Sequence, residues 1–248
     1  MKKVLLSITV IIIALTMLLS LTACGDTNKD PLDNPGADQP NTGDLPDNTT
    51  PNPNEWNITD TTIAEKDKVR VVINLSIGEV KKHINLELYP TIAPLSVANF
   101  LQYVDEDYYD NVVFHRVIEG FMIQTGEYYV IDRGIYIKEG QHDPIKGEFS
   151  ANGVENPISH KAGVISFART SVMDSATSQF FICSADASDS LDGKYAAFGR
   201  VCDQQSLDVV VEISKLPTKF VNMLFQNFPG ETVVTIFSID RYTGAVNG

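Results

Sequence analysis

The sequence predicts a mainly β domain, a closed antiparallel eight-stranded barrel capped by two α-helices. Three observations point there. Short segments with strand-period alternation recur between residues 68 and 248, separated by turn residues such as Gly78, Tyr108–Asn111 and Glu119-Gly120. Only two stretches carry helical spacing, and they lie far apart in the chain. A span of roughly 180 residues can bury a real core without help from disulfides.

The chain before that domain divides in two. Residues 1–23 open Met1-Lys2-Lys3 and then run apolar from Val4 to Leu21, the pattern of an export signal. They end Leu21-Thr22-Ala23-Cys24, small residues before a cysteine, which resembles a bacterial lipobox. The expectation is a lipidated Cys24 holding the chain to the cell membrane from outside. The alternative is an uncleaved anchor, since roughly 18 apolar residues can span a bilayer. Residues 24–67 read as a disordered tether, whose stretch 25–60 holds six of the chain's twelve prolines and eight acidic residues against the single Lys29. The whole chain has 32 acidic and 19 basic residues, a net charge of −13, which argues against nucleic acid and against anionic lipid as partners.

From Lys68 to Ser76, Val69, Val71, Ile73 and Leu75 alternate with Arg70, Val72 and Asn74, giving a first strand. Ile84, Leu86 and Leu88 make its hairpin partner. Leu95, Val97, Ala98, Leu101 and Val104 then follow Pro94 at helical spacing, with proline tolerated in the first turn. Phe114–Gly126 reads as two strands around Glu119-Gly120. Residues 128–146 look irregular. Ala162–Arg169, Ser178–Cys183 and Tyr195–Val201 are further strands. Asp203–Leu216 is the second helix, with Leu207, Val210, Val211 and Ile213 inward, and Thr232–Ile239 is the closing strand. Cys183 and Cys202 form an even pair that an exported protein could bridge, yet Cys183 sits in an apolar strand where cysteine serves as a small core residue. No Cys-x-x-Cys or His-Glu-x-x-His spacing suggests a metal.

The stretch Phe114-His115-Arg116-Val117-Ile118-Glu119-Gly120-Phe121-Met122-Ile123-Gln124-Thr125-Gly126 places an arginine and a glutamine among core-like side chains. It resembles the FHR-x-x-x-GF-x-x-Q-x-G signature of the cyclophilins, a class of peptidyl-prolyl cis-trans isomerases. Ser178–Cys183, Leu191-Asp192-Gly193-Lys194 and Phe198-Gly199-Arg200-Val201 agree with that family in order and spacing. Asn99-Phe100 matches a pair on its first helix. The chain departs from the family in three places. Residues 128–146 stand where a glycine-rich loop is usual, Ser190 where many eukaryotic members have tryptophan, and Tyr195 where many have histidine.

The resemblance implies a site. Arg116, Phe121 and Gln124 would be catalytic. Met122, Phe181, Leu191 and Tyr195 would wall a proline pocket, and Gln179 with the backbone at Ala168-Arg169 would hold substrate polar groups. His115, on the opposite strand face from Arg116, is expected to be structural. The implied chemistry is rotation about the X-Pro bond, whose amide resonance sets a barrier of roughly 18–20 kcal/mol. A fixed donor aimed at the prolyl nitrogen favours the twisted state over either planar one, with no metal or cofactor needed. Arginine suits that task, being permanently charged and donor-only.

Two functions follow as expectations. One is a tethered monomeric prolyl isomerase acting on proline-containing polypeptides to assist folding of exported proteins. The other is a non-catalytic proline-peptide binding module or holdase. An exported hydrolase finds no Gly-x-Ser-x-Gly elbow in the chain.

Overall fold

The computed structural model describes residues 63–64, 67–132 and 134–242. The expected signal segment, Cys24 and nearly all of the tether lie outside the described residues. The elements are β1 (Val69–Ile77), β2 (Val80–Leu88), α1 (Pro94–Asp105), β3 (Arg116–Ile118), β4 (Met122–Thr125), β5 (Tyr128–Ile131), β6 (Gly134–Ile137), β7 (Val164–Phe167), β8 (Phe180–Cys183), a single turn α2 (Ser188–Leu191), β9 (Ala197–Val201), α3 (Gln204–Ser214) and β10 (Val234–Arg241).

Eight strands form one strongly curled antiparallel sheet in the order β10-β1-β2-β9-β7-β8-β4-β3, as expected in number and direction. Regular pairing stops short of a full circle. The seam between the edge strands is crossed by the segment leading into β3, through an isolated bridge from Val113 to Thr235. Phe114 N–H donates to the Val234 carbonyl at 3.0 Å and Ile236 N–H to the Val112 carbonyl at 2.8 Å. A sheet edge left open would expose unpaired backbone groups, and these bonds satisfy part of it.

Strand alternation sends Ile73, Leu75, Ile84, Leu86, Ile123, Ile165, Phe167, Phe180 and Ile182 into one core. Helix α1 plugs it with Phe100, whose ring centroid lies 5.3–5.4 Å from those of Tyr109, Phe180 and Phe198. Leu95 and Ala98, expected on that inner face, are exposed; Ser96 and Asn99 take their place because they have polar partners to meet inside. Asn99 donates to the Thr177 carbonyl at 2.7 Å. No side chain at Ala93 caps α1. The buried Glu148 does so from a distant loop, accepting from Leu95 N–H (3.0 Å), Ser96 N–H (2.7 Å) and Ser96 Oγ (2.7 Å). At the other end Asp203 caps α3 through Ser206 N–H at 2.7 Å and ties it to β2 through Asn85.

The stretch at 128–146 is a correction. Its first half is a regular hairpin, with Tyr128 facing Ile137 and Val130 facing Ile135. The turn puts Asp132 at φ 47°, a conformation aspartate tolerates better than most residues. Aromatic and β-branched residues on either side of Asp132-Arg133-Gly134 were the signal. The structure forms no bridge between Cys183 and Cys202; both are free. Among the described residues no helix is long and apolar enough to cross a membrane.

Candidate active site

Because one side of the sheet faces the core, the opposite side of β3, β4, β7 and β8 is free to build something else. Register fixes what. Arg116 pairs with Gln124, Gln124 with Phe181, and Phe181 with Ser166, so these four side chains form one row across four strands. One step along, Met122 pairs with Cys183. Around this row Met122, Ala168, Phe181, Cys183, Ala187, Leu191 and Tyr195 form a second apolar cluster, with Phe121 and Ile118 packed on its margin.

Local geometry places the rim. The turn after β3 needs Gly120 at φ 72°, and Phe121 is then pinned by its carbonyl accepting from Ser184 N–H at 2.9 Å. At the far end of β4, a Cβ on Gly126 would stand 2.4 Å from the Ser178 carbonyl oxygen, so only glycine lets β4 meet the start of β8. Leu191 arrives from α2, and Asp192 anchors that loop by accepting from Ser159 Oγ (2.6 Å) and His160 N–H (2.7 Å) and by meeting His160 Nδ1 at 2.8 Å. Burial alone would raise the Asp192 pKa; the bonds from His160 and Ser159 outweigh it and hold the carboxyl below its usual range. His160 in turn lies parallel to the Phe181 ring at 6.1 Å and reaches Ser166 Oγ at 3.2 Å.

Polar groups at the edge are ordered in series. Arg116 Nη1 donates to Gln124 Oε1 at 3.4 Å and lies 3.8 Å from Met122 Sδ. Gln124 Nε2 donates to Gln179 Oε1 at 2.8 Å, and Gln179 Nε2 donates to Glu127 Oε2. Each amide is thus oriented by the next, ending on a carboxylate. Arg116 is half-exposed, whereas Gln124, Met122 and Phe181 beneath it are buried. The result is a guanidinium fixed above an apolar floor.

The site residues inferred from sequence therefore largely converge. Arg116, Gln124 and Gln179 make the polar edge; Phe121, Met122, Phe181, Leu191, Tyr195 and Ala168 make the floor and walls. Ala168 N–H is committed to the Gln179 carbonyl at 2.9 Å, so the backbone there offers a peptide its carbonyl. The Arg169 guanidinium is spread over the rings of Tyr195 (4.6 Å) and Phe149 (5.2 Å) and donates to the carbonyls of Lys194 and Thr170, which makes it a wall as much as a donor. The Tyr195 hydroxyl is buried without a hydrogen-bond partner. His115 points away, packed 4.7 Å from the Tyr128 ring, and burial pushes its pKa down to about 3, with the Arg116 charge adding to the effect. Sequence reasoning missed Glu127 and the His160–Asp192 support. One carboxylate among 32 acidic residues carries no signal, and pairing between residues 32 positions apart appears only after folding.

Residues 72–238 match the family described as cyclophilin type peptidyl-prolyl cis-trans isomerase. The chain belongs to the cyclophilin family. It is 39% identical over 158 residues to the peptidyl-prolyl cis-trans isomerase of Acinetobacter baylyi, covering 62% of this chain and 78% of that one. It is 38% identical over 158 residues to peptidyl-prolyl cis-trans isomerase B of Escherichia coli, covering 61% and 89%. The fold is shared with a crystal structure of a cyclophilin type isomerase from Cryptosporidium parvum, at TM-score 0.55 and 21% identity over 72% of this chain and 99% of that one.

Proposed function

We propose that this cyclophilin isomerises X-Pro bonds in proline-containing polypeptides outside the cytoplasm, held to the membrane by a lipidated Cys24 and an acidic proline-rich tether. The observation that carries the catalytic part is the cross-strand row in which Arg116, braced by Gln124, stands above the Met122–Phe181 floor. A prolyl ring seated on that floor has its amide beside the guanidinium. As the bond twists, the nitrogen becomes pyramidal and its lone pair turns into an acceptor, so the donor gains a partner only near the transition state. A module that merely bound proline would be served by the floor alone, and the placement of Arg116 favours turnover. The export and anchoring part rests on Met1–Cys24, a basic start, an apolar run and a small-residue approach to cysteine.

Replacing Arg116 with Ala tests the catalytic part. The rate constant on an Ala-Pro peptide should fall by about two to three powers of ten, since removing a donor from such a site costs roughly 2.7–4 kcal/mol. Arg116→Lys should recover little, because an ammonium on a flexible stem lacks the planar fork. Peptide affinity should fall less than rate. Exchange spectroscopy reads both quantities, and a folded Arg116→Ala chain at the original rate would end this reading.

A further inference from the structure

The segment between α3 and β10 forms a small hairpin-like loop outside the main sheet. Its legs are joined by bridges from Lys219 to Phe228 and from Asn222 to Phe225. Its base is built in: Phe225 and Phe228 are buried with Val113, and the inner face of the β5–β6 hairpin packs on them, the Tyr128 ring lying 4.8 Å from that of Phe225. Its tip points the other way. Phe220, Val221, Met223 and Leu224 are 62%, 43%, 71% and 73% exposed. The exposure is held in place, because Asn222 Oδ1 accepts from the backbone N–H of both Leu224 (2.8 Å) and Phe225 (3.2 Å), fixing a turn that turns Met223 and Leu224 outward. Four large apolar side chains fixed outward in five consecutive positions mark a contact surface.

Its place names the occupant. Asn227 carbonyl accepts from Val117 N–H at 3.0 Å, so the loop lies along the free edge of β3, and the residue before Val117 is Arg116. The tip is about 10 Å of extended chain beyond that bond. No ionisable residue occurs between Lys219 and Glu231. The net charge of −13 opposes both an anionic lipid surface and a second copy of the chain. An uncharged apolar stretch of an unfolded polypeptide meets neither obstacle, and exposed methionine and leucine adapt to side chains of varied shape. We infer that the 220–224 tip is an accessory polypeptide-binding site that holds an apolar segment of the same chain whose X-Pro bond lies in the cleft. This rests on the isomerase reading. Once either contact forms, the other becomes intramolecular, which raises occupancy of the cleft by long substrates and leaves short peptides unaffected.

The test compares the full chain with the triple variant F220S/M223S/L224S and with L224K alone, circular dichroism confirming the fold of each. Three measurements are made: kcat/KM on an Ala-Pro tetrapeptide, acceleration of a refolding reaction limited by proline isomerisation, and anisotropy of a labelled, permanently unfolded proline-containing polypeptide. The triple variant should keep tetrapeptide turnover within about twofold, accelerate refolding at least about fivefold less, and bind the labelled polypeptide at least about fivefold more weakly. L224K should fall between. Equal polypeptide binding by both chains overturns the inference. So does a tip substitution whose effect is confined to flotation with phosphatidylcholine vesicles, or to the sedimentation of a dimer. Should the unaltered chain fail to turn over the tetrapeptide, the isomerase reading falls, while the anisotropy comparison still decides whether the tip binds polypeptide.

Discussion

Two neighbouring residues in the signature show how strand parity divides labour. Arg116 faces the cleft and keeps its charge near water, whereas His115 is buried against Tyr128 and Phe225 and its pKa sits at about 3 instead of the ordinary 6.5. The sign of the consequence is fixed. Between those values the unfolded chain binds a proton that the folded chain refuses, so stability contributed above pH 6.5 is lost progressively as pH falls toward 3. The urea midpoint of the parent chain should therefore be lower at pH 5 than at pH 7. In His115→Gln the difference between the two pH values should shrink by the share of one titrating group, and an unchanged difference would mean that other groups set the acid limit. The Tyr195 hydroxyl is the other residue out of keeping with its surroundings, a buried donor without a partner in the wall of the cleft.

Among the elements, α1 depends on something outside itself. Its first turn contains no acidic residue and its cap position is alanine, so the exposed helix-end N–H groups are met by Glu148 alone among side chains. Glu148→Gln keeps the shape and removes the charge. It should cost about 1.5–3 kcal/mol, a charged hydrogen-bond acceptor being replaced by a neutral one with a clashing NH2. Thermal melting should fall by roughly 3–10 °C for a domain of this size, and a shift of less than a degree would show that water or another group takes over the cap. The same elements show where sequence sufficed. Alternation around Ile73, Ile84, Ile165 and Ile182 was enough to orient every main strand, because a one-residue slip would exchange the faces. The floor of the cleft was legible for the same reason, through Met122 and Phe181. What alternation could not convey was polar partnership between distant segments. Ser96 displaces Leu95 from the inner face of α1 because Glu148 is there, and Gln179 is oriented by Glu127 for a reason seen only after β4 and β8 pair. The β5–β6 hairpin was readable from the alternation of its own residues, which a reading of 128–146 as irregular passes over.

For the whole molecule, anchoring and catalysis are separable if the tether is passive. Cys24→Ala should release the chain from membranes into the soluble fraction while leaving turnover of a short proline peptide unchanged. Membrane retention would favour the uncleaved anchor, and loss of turnover would show that the segment before the domain takes part in the site. The sheet has a further consequence that concerns time. β1 is hydrogen-bonded on one side to β2 and on the other to β10, Val71 opposite Arg241 and Ile77 opposite Val234. The first strand made is therefore paired with the last. While the chain emerges in order, β1 and β2 can form their hairpin, but the edge carrying Ile73 and Leu75 waits for almost the entire domain. Closure across so many intervening residues belongs to the slow class of folding reactions, milliseconds to seconds, with a sticky strand edge exposed meanwhile. This isomerase cannot mature piecemeal during its own synthesis. It becomes an enzyme in one late step, after its final strand is delivered.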